Sequence, residues 1–130
     1  IVAKVMRINA IAPLVVAQAF TEHVARSSEK KIVAVSSSMG SIADGSAGHY
    51  AYRMSKAALN MAMATLGRDL EARGVSVEVF SPGWVQTDMG GPNARETVGE
   101  SVRAMRQLIA AKSQAGAARF RLFDGTTIPW

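Results

Sequence analysis

Tyr52 and Lys56 stand four residues apart in a segment rich in alanine and methionine. On a helix that spacing puts both side chains on one face, one turn apart. An ammonium group beside a phenol stabilises the phenolate and brings a phenolic pKa down from about 10 toward the range of a working general acid or base. By itself the pair also fits a buried tyrosine beside a snorkelling lysine.

Ser36, Ser37 and Ser38 follow a β-branched run. Parallel sheets bind ligands outside the carboxyl ends of their strands, where a hydroxyl can donate to a carbonyl and orient it. Turn chemistry, in which serine bonds nearby backbone, accounts for at least one or two of the three. Asn9 is unfavourable inside a helix, and Pro13 follows it by four residues. Proline has no N–H, so the Asn9 carbonyl loses its helical donor and needs another, most simply water. An ordinary proline kink with Asn9 as local support explains the same two residues.

These groups need elements to carry them. From Val2 to about Arg26, Val5, Ile8, Ala12, Val15, Val16 and Ala19 recur near the helical period. Ile32 to Val35 is a short apolar run without alternation, as in a strand covered on both faces of a parallel sheet. The stretch from Ser36 to Gly48 is a loop. A second helix spans about His49 to Arg73 and stops at Gly74, and Val75 to Phe80 is a second strand. Pro82 to Pro92 forms a loop; Thr97 and Glu100 are spaced as a capping box and open a third helix. Val102, Met105, Leu108 and Ile109 are its expected buried stripe. Phe120 to Phe123 closes the series as a last strand. Alternating helices and strands make the fold class α/β with a parallel sheet.

In this order, Asn9, Ser37, the Tyr52-Arg53-Met54-Ser55-Lys56-Ala57-Ala58-Leu59-Asn60 stretch and Pro82-Gly83 after a strand resemble the second half of a short-chain dehydrogenase/reductase. The wording of Pro82-Gly83-Trp84-Val85-Gln86-Thr87-Asp88-Met89 and of Asp124-Gly125-Thr126-Thr127-Ile128-Pro129-Trp130 is similar to the C-factor and sniffer-like branch of carbonyl reductases. The resemblance implies that residues 1–130 are the C-terminal, catalytic portion of one NAD(P)-binding domain. This is a Rossmann-like, doubly wound parallel sheet whose glycine-rich N-terminal half is missing. It implies a catalytic tetrad. Tyr52 exchanges a proton with the substrate oxygen, Lys56 holds the ribose hydroxyls, Ser37 polarises the carbonyl and Asn9 keeps a water that links Lys56 to solvent. Ser37 is chosen because Gly40 follows it by three, as in the family. Pro82, Gly83, Val85 and the Thr87 hydroxyl would join Tyr52 and Lys56 in binding NAD or NADP. Trp84, Met89 and the loop from Met39 to His49 would line the substrate side, with His49 more simply a solvent-facing residue at the helix start.

The chain has 130 residues, 48% hydrophobic and 19% charged, enough for one domain with a core and unlike a disordered tail. It has no cysteine and only two histidines, which excludes disulfides and thiolate metal sites and points to oxygen and nitrogen chemistry. Fifteen basic against ten acidic residues leave a net charge of +5. The basic residues are scattered and aromatics are only 6%, so no nucleic-acid partner is expected. The longest apolar stretch, Ile8 to Phe20, is too short for a bilayer span, and no membrane partner is expected either. The expectation is a cytoplasmic protein acting on a small carbonyl or alcohol. A cofactor-binding signalling protein of the C-factor type is the alternative. The helices at 2–26 and 49–73 are the expected homodimer face. Alone, the chain should be poorly stable and should not bind nicotinamide saturably, because the strand at Ile32 would keep an open edge.

Overall fold

The computed structural model describes all residues from 1 to 130. Its first element is a nearly continuous helical run: α1 (Val2–Met6), a π-turn (Arg7–Ile11) and α2 (Ala12–Arg26). The π-turn falls at Asn9, where the Ala12 N–H reaches five residues back to the Arg7 carbonyl. Pro13, in the first turn of α2, needs no N–H donor role there. The kink expected from Asn9 and Pro13 thus takes the form of a widened turn.

Three strands follow, β1 (Lys31–Val35), β2 (Ser76–Ser81) and β3 (Arg119–Leu122), all parallel in the order β1-β2-β3. Ile32 pairs with Val77, and Val79 with Phe120. Side chains alternate between faces. On one face Val77, Val79 and Phe120 meet Leu59, Met63, Leu66 and Leu70 of α3 (Tyr50–Asp69) and of the turn after it. The other face carries Glu78, only 2% exposed, which accepts from Arg119 and Arg121. Arg121 also lies over the Phe80 ring. The carboxylate is tolerated there because two guanidinium groups replace its water.

Element identities follow the sequence closely, with small shifts at the ends. The second helix is shorter than expected: α3 ends at Asp69, a 3-10 turn (Glu71–Arg73) follows, and Gly74 closes it at φ +72. The capping box is present, with the Thr97 hydroxyl accepting from the Glu100 N–H and the Glu100 carboxylate from the Thr97 N–H.

Two expectations are corrected. The stripe of α4 (Val98–Ala110) is not buried: Val102 is exposed and Met105, Leu108 and Ile109 are half-covered, leaving Ser101 as the helix's buried residue. Polar anchors hold α4 instead. Ser101 Oγ donates to the Pro82 carbonyl at 2.6 Å, and Lys31 Nζ donates to the carbonyls of Ile109 and Ala111 at the helix end. Further, the helical run Val2–Arg26 continues through Asn9, Pro13 and Gln18. At 25 residues it is long and apolar enough, by length and composition, to cross a bilayer. In this fold Ala17, Val24 and Ala25 pack on the sheet core.

Candidate active site

Helix α3 carries the site because three of its polar residues recur at helical spacing along one face. Tyr52, Lys56 and Asn60 are four apart, and the last two reach the end of β1 and the loop after it. Lys56 Nζ donates to the Val35 carbonyl at the end of β1, at 3.2 Å. Asn60 is buried; it accepts from Ser36 Oγ at 2.7 Å and donates to the Gly40 carbonyl at 3.4 Å. Arg53 donates to the Met39 carbonyl and to Asp44. The loop after β1 is therefore laid along α3 by side-chain bonds, and a Cβ at Gly40 would collide with Lys56 backbone at 2.9 Å.

Asn9, Tyr52 and Lys56 line one cleft of about 540 Å³, together with Val5, His49, Tyr50, Ala51 and Met89. Lys56 Nζ lies 5.7 Å from the centre of the Tyr52 ring. Burial, with no neighbouring carboxylate to offset it, pulls the Lys56 ammonium below its ordinary pKa. The cleft has no acidic residue in its lining. His49 stands in a left-handed conformation, φ +56, at the start of α3 and caps nothing, but it faces the cleft rather than only solvent.

Ser37 is placed differently. It is half-buried just past β1, and its oxygen accepts from the Met39 N–H at 3.1 Å, capping a 3-10 turn (Ser38–Gly40). It is absent from the cleft lining, as are Met39 and Trp84. Its neighbours also take turn and scaffold roles: Ser36 bonds Asn60, and the Ser38 N–H donates to Ser81 Oγ.

The Pro82–Pro92 loop sits across the carboxyl end of the sheet. Pro82 accepts from Ser101, and Gly83 has φ +84 with Glu96 and Phe123 so close that a Cβ would meet both at 2.9 Å. Val85 bridges Glu96, and neighbouring backbone bonds tie Trp84 and Gln86 to Glu96. The N–H groups of Gly83, Trp84 and Val85 donate to no acceptor in the protein. The Thr87 hydroxyl accepts from the Gly90 N–H at 3.2 Å.

Sequence reasoning missed Ser55, Asn60 and Arg53. Ser55 is 0% exposed, accepts from Asn9 Nδ2 at 3.1 Å and donates to the Tyr52 carbonyl at 2.8 Å. The signal was available: serine and asparagine in a helix interior are unfavourable unless something there uses them.

An α/β domain with a Tyr-Lys pair at the sheet's carboxyl end is the class this geometry defines. The family model for short chain dehydrogenase matches residues 2–97, and the chain belongs to that family. It is 43% identical to C-signal of Myxococcus xanthus over 98% of its length, spanning 78% of that protein. It superposes on the carbonyl reductase Sniffer of D. melanogaster with TM-score 0.85 and 34% identity, covering 96% of this chain and 55% of that one. On the NADPH-bound carbonyl reductase from chicken fatty liver the TM-score is 0.87 and the identity 30%, over 99% of this chain and 57% of that one. The chain thus spans little more than half the length of these reductases.

Proposed function

We propose that the protein containing this chain is an NAD(P)-dependent oxidoreductase that interconverts a small carbonyl compound and its alcohol, with Tyr52 as general acid and base. The cleft shared by Asn9, Tyr52 and Lys56 carries this reading. When bound, the nicotinamide cofactor supplies or accepts the hydride. In the reducing direction Tyr52 gives its hydroxyl proton to the substrate oxygen as the carbonyl carbon gains hydride; in the oxidising direction it takes the proton back. Lys56 offsets the negative charge that develops on the Tyr52 oxygen as the proton leaves.

The chain's free donors and acceptors suit the cofactor. An ammonium has three N–H groups, and the Val35 carbonyl uses one, so two remain for ribose hydroxyls. The unpaired N–H groups from Gly83 to Val85 suit a carboxamide oxygen, with Pro82 and Thr87 shaping that loop. Ser37 accepts from Met39 but keeps its own proton, which can go to a carbonyl if the side chain turns toward the cleft. Asn9, which also lines the cleft, would hold the water that connects Lys56 to solvent. The phosphate-binding part of the site belongs to sequence outside these residues, in keeping with the 55% of Sniffer that the chain spans. A cytoplasmic location fits this chemistry. A homodimer through the helical run and α3 fits the exposed Ile8, Ile11, Val15, Phe20, Met54 and Met61.

The second reading is a cofactor-binding signalling protein, favoured by the identity to C-signal along nearly the whole chain. Tyr52→Phe in the whole protein separates the two. The enzyme reading expects loss of nicotinamide-linked turnover with dinucleotide binding retained; a biological effect untouched by the substitution would sink it.

A further inference from the structure

Ser55 lies between Tyr52 and Lys56 in the chain and is closed off from solvent. A backbone carbonyl can only accept, so Ser55 gives its single proton to the Tyr52 carbonyl. The contact with Asn9 must then be made by the Asn9 amide N–H. That bond chain sets which way the amide is flipped: Nδ2 toward Ser55, and Oδ1 left without a protein partner on a residue that lines the cleft. The bond forms at the π-turn, a rare geometry that recurs at functional sites.

We propose that Ser55 is a positioning residue for proton transfer. It orients the Asn9 amide and ties it to the turn of α3 that carries Tyr52, so that Oδ1 of this cleft-lining residue is left free to accept. The group that fits there is a hydrogen-bond donor such as a water molecule. This rests on the reading of Tyr52 as the acid and base, yet the orientation of Asn9 can be observed without turnover.

The test compares wild type, Ser55→Ala and Ser55→Thr in the whole protein, with steady-state kinetics and with hydrogen exchange of the Asn9 side-chain amide followed by ¹⁵N NMR. Ser55→Ala should lower kcat about tenfold while KM for carbonyl and dinucleotide stays within about twofold, as expected when geometry rather than binding is lost. The Asn9 amide, slow to exchange in the wild type, should exchange freely in Ser55→Ala. Ser55→Thr, which keeps a hydroxyl, should recover both. Equal amide exchange in wild type and Ser55→Ala overturns the inference, as does an unchanged kcat in Ser55→Ala. A wild type that turns over no carbonyl, but whose Asn9 amide still depends on Ser55, overturns the catalytic reading and supports the orientation.

Discussion

Strand β2 contains two serines and a glutamate, yet each of its six residues is buried; β1 is Lys-Ile-Val-Ala-Val, and none of its five is. The helices on the same face of the sheet repeat the contrast. α3, with arginine, lysine and asparagine along it, buries six residues, whereas the more apolar α2 buries none. Neighbours decide burial here, not composition. β2 is flanked by strands on both sides and covered by α3, while β1 is paired on one side only and Val35 is 55% exposed. The candidate site straddles the line between these regions: Tyr52 and Lys56 project from α3, the helix that covers β2, and Lys56 reaches across to Val35 on the open strand, while Asn9 stands on the open helical run.

The largest expected effect concerns the open side as a whole. The 130-residue chain alone should aggregate or unfold over a broad range, with no saturable nicotinamide binding. Each unpaired buried polar group costs about 1–3 kcal/mol against a total of about 5–15 kcal/mol. A sharp calorimetric transition in a monomer that also titrates with dinucleotide would erase the contrast between β1 and β2.

Next comes Tyr52→Phe in the whole protein, expected to reduce turnover by about 10²–10⁴-fold without unfolding it. The rate of nicotinamide absorbance change and a circular-dichroism melt check the two halves of that statement. Smaller again, Met63→Ala, at a residue 1% exposed in the closed core, should cost about 2–5 kcal/mol in denaturant unfolding. Val15→Ala, at a residue 56% exposed on α2, should cost within about 0.5 kcal/mol. If Val15→Ala proves as costly as Met63→Ala, something covers the open face, and sedimentation of the whole protein would then show whether a second copy does.

An effect smaller than that of Met63→Ala is expected at α4, which neither region covers well. Thr97→Ala should cost about 1 kcal/mol at neutral pH through loss of the cap. Backbone and side-chain bonds from Thr97 hold the Glu100 carboxyl below its usual 4.5. A depressed carboxylate pKa stabilises above the unfolded value and is lost as pH falls through the folded one. The difference between wild type and Thr97→Ala should therefore shrink as the pH drops below 4.5, which unfolding curves at a series of pH values would reveal.

Local rules explain how much of this could be read in advance. The capping box at Thr97, the stop at Gly74 and the disturbed helix at Asn9 and Pro13 depend on residues within a turn or two of one another. The Tyr52–Lys56 pair depends on helical period alone. Ser37 was harder, because a run of three serines differs only in which one each neighbour claims: Asn60, Met39 and Ser81 come from three separate places in the fold.

The sequence by itself determined the order of elements, the parallel α/β plan and the helical face that joins Tyr52 to Lys56. Periodicity, caps and breakers act over a few residues and need no partner to be legible. Tertiary structure decided what those residues touch. The exposure of the α4 stripe and the burial of Glu78 between Arg119 and Arg121 depend on segments that meet only after folding. So does the bond that runs 46 residues along the chain from Asn9 to Ser55. Hydrogen bonds and desolvation act over a few ångströms of space, and the spacing of residues in sequence records nothing of that distance.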